Sequence, residues 1–142
     1  MLDAFVPSIP VQLVAVPAHT PAEIDTALVA LSGEPGAGLM VVPDISNDAN
    51  HAQIVTLAGQ HNLPAIFARR FDDALITYGP DLPDLFRRAA SYVDRILRGE
   101  KPGELPVQAP TKYELIINRK VAKSLGLSVP ASLLVAADQV IE

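Results

Sequence analysis

The sequence predicts an α/β fold: a mainly parallel, open sheet with helices on both faces. Three observations predict it. Short, continuously apolar runs recur along the chain, each stopped by proline or glycine. Capped, amphipathic helical segments lie between those runs. The 142 residues, 49% of them hydrophobic and 19% charged, have the size and composition of one domain with its own core. Strands buried on both faces are apolar throughout rather than alternating, and strand–helix–strand order implies parallel crossovers. Residues 1–142 therefore read as a single α/β domain.

The elements follow in order. Val11–Val16 is an apolar, valine-rich run ended by Pro17 and reads as the first strand. Thr20, Pro21 and Glu23 form a capping box with proline at the first helical position. Ile24, Ala27, Leu28 and Leu31 then recur at helical spacing until Gly33. Gly38–Val42 is a second strand, closed by Pro43 and Asp44. Ser46, Asn47 and Asp48 offer caps for a helix carrying Ile54, Leu57 and Ala58. Leu63–Phe67 is a third strand. Ala74–Tyr78 is a fourth, ended by Gly79 and Pro80. The strongest helix runs from Asp81 to Arg98, with Asp81 as its cap and Gly99 past its end. Leu85, Phe86, Ala89, Ala90, Val93, Ile96 and Leu97 give it a broad apolar stripe. Beyond the Gly99–Gly103 loop, Lys112–Ile117 is a further strand, Asn118 caps a short helix closed by Gly126, and Pro130 opens a helical or extended tail.

Composition excludes several classes. Eleven cations against 16 acids leave a charge of −5, which argues against a phosphate-neutralising nucleic-acid surface. Val121–Pro130 imitates a helix-turn-helix, but Ala131–Glu142 contains no Lys or Arg to read bases. The absence of cysteine excludes disulfides, thiolate zinc sites and cysteine nucleophiles. No apolar run approaches the roughly 18–20 residues that span a bilayer, so no membrane insertion is expected. Met1–Pro10 has no basic n-region, and the chain as it stands is expected to be cytoplasmic.

Ligands of open α/β sheets bind beyond the carboxyl ends of the strands. That rule points at His19, Asp44, Arg69, Arg70 and Tyr78. Asp44 can accept hydrogen bonds from a ligand amine or hydroxyl; equally, it can begin a turn or cap the next helix. Arg69 and Arg70 can hold a ligand carboxylate, or lie solvated with one bridging to Asp72 or Asp73. No nucleophile–base–acid line, phosphate loop or metal-ligand spacing of His19, His51 and His61 is present. Neither catalysis, nor a metal, nor a cofactor is expected.

The second half of the chain carries a family resemblance. Leu57-Ala58 through Leu63-Pro64-Ala65-Ile66 resembles the LA…H-x-L/I-P-A-I segment of bacterial ABC-transporter substrate-binding proteins. Tyr78-Gly79-Pro80-Asp81 resembles their S/T-Y-G-x-D turn. Phe86-Arg87-Arg88-Ala89-Ala90 and Tyr92–Pro102 are similar to their YRRAA-x-YVDRILKG-x-KP helix. Leu105–Gln108 and Thr111–Asn118 are similar to LPVEQPTKFELVIN. The tail Ala122–Pro130, with Leu133-Leu134 and Ala137–Glu142, resembles A-x-x-LGL-x-[IV]P-x-x-LL-x-x-AD-x-VIE.

The resemblance implies one lobe, the carboxy-terminal one, of a type I periplasmic-binding-protein-like fold, without catalysis. It implies capture of a small organic solute, an amino acid or aromatic compound, for an ABC permease. Family members work in the periplasm or outside the cytoplasm. The resemblance matches Asp44 to a position lining the family's cleft and Tyr78 and Gly79 to its hinge-side turn; ligand contact is expected at Asp44, Tyr78, Gly79 and Arg69. The family's glycine pair before the fourth strand is replaced here by Asp72-Asp73-Ala74, and the amino-terminal lobe has no counterpart.

The stripe of the Asp81–Arg98 helix must be covered. Either the helix folds back onto its own sheet, or a second chain covers it. The expectation is a two-fold homodimer in which the helix and loop at 81–103 pack on a partner chain. A cytosolic dimeric scaffold or regulatory module that no longer serves transport is the alternative function.

Overall fold

The computed structural model describes residues 11–142. They build a five-stranded sheet in the order β1-β2-β3-β4-β5. The strands are β1 (Leu39–Val41), β2 (Ala65–Phe67), β3 (Ile76–Pro80), β4 (Tyr113–Asn118) and β5 (Gln139–Ile141). The helices are α1 (Pro21–Ser32), α2 (Ile45–Ala49), α3 (His51–Gln60), α4 (Leu82–Leu97), α5 (Arg119–Ser124) and α6 (Ala131–Ala136). Three pairings are parallel and only β3–β4 is antiparallel, so the sheet is the mostly parallel, open one expected.

The main core joins α1 and α3 to the first two strands. Ile24 and Leu28 from α1 and Ile54 and Ala58 from α3 meet Val41, Ala65 and Phe67. Ile116 and Ile117 are successive on β4 and point to opposite faces, yet both are buried, so this strand is covered on both sides. Among the described residues no helix is long and apolar enough to cross a membrane.

Several boundaries follow from local chemistry. Thr20 accepts the Glu23 N–H, and the Glu23 carboxylate accepts the N–H groups of Thr20 and His19 at 3.0 and 2.8 Å. Those donors hold the Glu23 carboxyl below its ordinary pKa. Asn118 caps α5 by accepting the Val121 N–H. The helix expected after Ser46–Asp48 starts earlier, because Asp44 accepts the Ser46 N–H at 2.8 Å, and it breaks at Asn50 into α2 and α3. The tail forms both a helix and a strand, α6 and β5.

One expected strand is corrected. Val11–Val16 lies outside the sheet, and Val11, Leu13, Val14 and Val16 are all exposed. Strand preference reflects packing on a pleated surface more than backbone bias. Among the described residues this run has neither a ladder partner nor a covering element, so its apolar pattern alone does not make a strand.

The strand expected to end before Gly79 continues to Pro80. Asp81 N–H donates to the Lys112 carbonyl, which makes Pro80 a position that needs no donor toward β4. On its other side β2 has already ended, since Phe67 pairs with Thr77.

Helix α4 is anchored on one side only. Arg88 donates to Thr111 Oγ1 and Gln108 Oε1, and Tyr92 donates to the Pro106 carbonyl. The Arg95 guanidinium forks onto the Glu100 carboxylate just past the helix end. The Arg88 and Tyr92 bonds tie α4 to the return segment at 105–111. The opposite face is left open: Phe86 is 75% exposed, Val93 55% and Leu97 81%.

Candidate functional site

Strands β1, β2 and β3 run in one direction, so their carboxyl ends lie along the same edge of the sheet. The segment after β2 leaves this edge and crosses back to the start of β3 without a helix. Phe71 accepts a bond from Thr77 and Asp72 one from Asn118, which fixes the path of the crossing. A hollow of about 540 Å³ opens beside it, lined by His51, Arg69, Arg70, Phe71, Asp72, Asp73 and Leu82.

Its floor is aromatic. The His51 and Phe71 rings stack with centroids 4.2 Å apart and planes within 8°. Phe71 meets Phe67 edge-on at 5.6 Å, which links this floor to the buried core. Its rim carries both signs of charge. Arg69 pairs with Asp48, Arg70 with Asp72, and His51 lies 3.9 Å from Asp73. Arg70 also donates to Gln139 at 2.8 Å. The hollow thus combines a stacked ring pair with both signs of charge. It contains no nucleophile with a base, and no group of three metal-ligating side chains occurs among the described residues.

The residues singled out in the sequence do not all meet here. Arg69 lines the hollow. Gly79 does not line it: a Cβ there would sit 2.1 Å from the Ala68 carbonyl oxygen, so β3 passes this segment at a distance only glycine permits. Asp44 is exposed at the end of β1 and caps α2. Tyr78 stacks on Tyr113 at 5.7 Å across β3 and β4 and does not line the hollow. The reading of the residues missed the His51–Phe71 stack. No local signal marks it, because the two rings meet only through the tertiary fold.

The fold matches one lobe of a periplasmic binding protein. Residues 1–141 match the family model described as ABC transporter substrate binding protein. The chain belongs to that family, whose members bind substrates and are not enzymes. No curated protein matches it significantly.

Solved structures show the same fold. A conserved domain protein from Vibrio cholerae superposes with a TM-score of 0.85 at 24% identity, over 98% of this chain and 48% of that one. A Streptococcus pneumonia ABC domain in complex with L-Trp gives 0.82 at 22% identity, over 97% and 49%. A ligand-free, open substrate-binding protein with adhesive properties from Clostridium difficile gives 0.68 at 20%, over 99% and 48%. The chain spans about half the length of these proteins.

Proposed function

We propose that this chain binds a small organic solute, an amino acid or an aromatic compound, at the carboxyl edge of β1–β3. The observation that carries the reading is the stacked His51–Phe71 floor between guanidinium and carboxylate groups. The family gives the reading its class, and the Streptococcus structure holding L-Trp gives a first ligand to try. In this proposal Arg69 exchanges its pairing with Asp48 for the solute carboxylate. Asp44 and Tyr78 flank the edge and contact the parts of the solute beyond the hollow, while Gly79 keeps the floor low. Delivery to an ABC permease belongs to the same proposal.

A thermal-shift screen of the twenty amino acids and of simple aromatic acids tests it, because a ligand of the native state raises the midpoint. At about 100 times its Kd a solute adds about 2.7 kcal/mol of stability. We expect a saturable rise with at least one compound and its loss in Arg69→Ala. A flat response across the panel would contradict the proposal.

The proposal extends to a homodimer through α4. Phe86, Val93 and Leu97 stand on its open face with Leu82 and Ile96 beside them. Full burial of such side chains stabilises by roughly 1.5–3 kcal/mol each. An identical chain related by two-fold symmetry covers the same stripe with its own. This open face also favours the second reading, a cytosolic dimeric module without a transport role. Light scattering at micromolar concentration separates them from a monomer, and Val93→Asp should dissociate the dimer by placing a charge in its seam. Solute binding by the dimer supports the first reading; a dimer that binds no solute supports the second.

A further inference from the structure

Because β4 runs antiparallel to β3, the sheet has a second set of carboxyl ends on its opposite edge, those of β4 and β5. A hollow of about 620 Å³ opens there. Arg119, Lys120 and Lys123 rim it, all from α5 and all exposed. Leu127, Val129 and Leu134 add apolar lining. Arg119 is paired with Glu142, whereas Lys120 and Lys123 enter no ion pair among the described residues.

The charge distribution is uneven. The rim holds three cations and Glu142, a local balance of 3 − 1 = +2. The rest of the sequence holds 11 − 3 = 8 cations and 16 − 1 = 15 acids, a balance of −7.

We infer that this edge is a docking site for an acidic segment of a protein partner, one that sets carboxylates on Lys120 and Lys123 and an apolar side chain against Leu127, Val129 and Leu134. A lone small anion would gain little, because a single exposed ion pair is weak against solvent screening. A segment with several carboxylates sums such pairs and adds apolar burial at Leu127, Val129 and Leu134. The negative remainder of the chain disfavours a long polyanion such as a nucleic acid, whereas a short acidic segment can meet the positive rim alone. The site is independent of the solute edge, which lies across the sheet, so its failure leaves the solute proposal standing.

Amide NMR of the full chain tests the inference with three probes: the capped hexapeptide EELEEL, its counterpart KKLKKL, and citrate. EELEEL should shift the amides of Leu127, Val129 and Leu134 saturably, and less as salt rises. Lys120→Glu with Lys123→Glu should weaken that binding about tenfold or more, whereas Lys101→Glu, an exposed lysine elsewhere, should not. If charge reversal unfolds the chain, Lys120→Gln with Lys123→Gln repeats the comparison with a smaller loss. Equal shifts from KKLKKL or citrate, no shifts from EELEEL, or undiminished binding in the folded lysine variants would overturn it.

Discussion

Lys112 Nζ lies 2.6 Å from Asp81 Oδ2, joining the residue that starts α4 to the one that enters β4. The buried Asp81 carboxylate also caps α4 by accepting the Asp84 N–H at 3.0 Å. One side chain thus closes the long excursion between two paired strands. The Lys112 bond and then the Asp84 N–H hold the Asp81 carboxyl below its ordinary pKa.

The sign of the acid response follows. Asp81, Glu100 and Glu23 all have lowered folded pKa values. Their contributions are fully present above the ordinary carboxylate range, about pH 4, and are lost as pH falls through the lowered folded values. Urea unfolding followed from pH 6 to pH 2 should show falling stability below about pH 4. Asp81→Asn should be less stable at pH 6 and show a shallower acid fall. An identical pH slope in that variant would remove Asp81 from the account.

Two glycines should respond in opposite senses. Gly79→Ala places a methyl 2.1 Å from Ala68 O and 2.9 Å from Ala68 C, both backbone atoms. Such overpacking costs about 1–3 kcal/mol or more. Gly59 lies in α3 with nothing within 4 Å of an added Cβ. Gly59→Ala should stabilise by about 0.5–1 kcal/mol through helix propensity. Denaturant midpoints of the two variants check both.

The two phenylalanines Phe67 and Phe86 should differ as sharply. Phe67 is 1% exposed, and Phe67→Ala should cost about 3–5 kcal/mol. Phe86→Ala should leave the stability of an isolated chain within about 0.5 kcal/mol. In a dimer built on α4 the same change should raise the dissociation constant. Unfolding curves at two protein concentrations separate these effects.

Asp44 serves a cap in the structure and a solute in the proposal, and one substitution separates the roles. Asparagine caps about as well as aspartate, so Asp44→Asn should leave the unliganded midpoint nearly unchanged. Any solute held by the Asp44 charge should then give a smaller thermal shift.

Much of the architecture was legible because it is written locally. The Thr20–Glu23 box, the Asp81 and Asn118 caps and the apolar cores of β1, β2 and β4 are short-range signals. Val11–Val16 misled for the same reason: its composition describes a strand, but pairing depends on a neighbour that composition cannot name. Pro80 read as a stop because its tolerance depends on where β2 ends. The site was less legible still. Arg69 and Arg70 stand out as adjacent cations, yet the His51–Phe71 stack and the Lys112–Asp81 bond join residues 20 and 31 positions apart. The open face of α4 was visible as a stripe, whereas its exposure was not.

The central claim is that the carboxyl edge of β1–β3 holds a solute, and an amide NMR titration with L-tryptophan and the best compound of the thermal screen tests it most directly. Saturable shifts concentrated at His51, Arg69, Phe71 and Asp73, absent in Arg69→Ala, are the predicted result. Shifts confined to other surfaces, or none at millimolar solute, would contradict it.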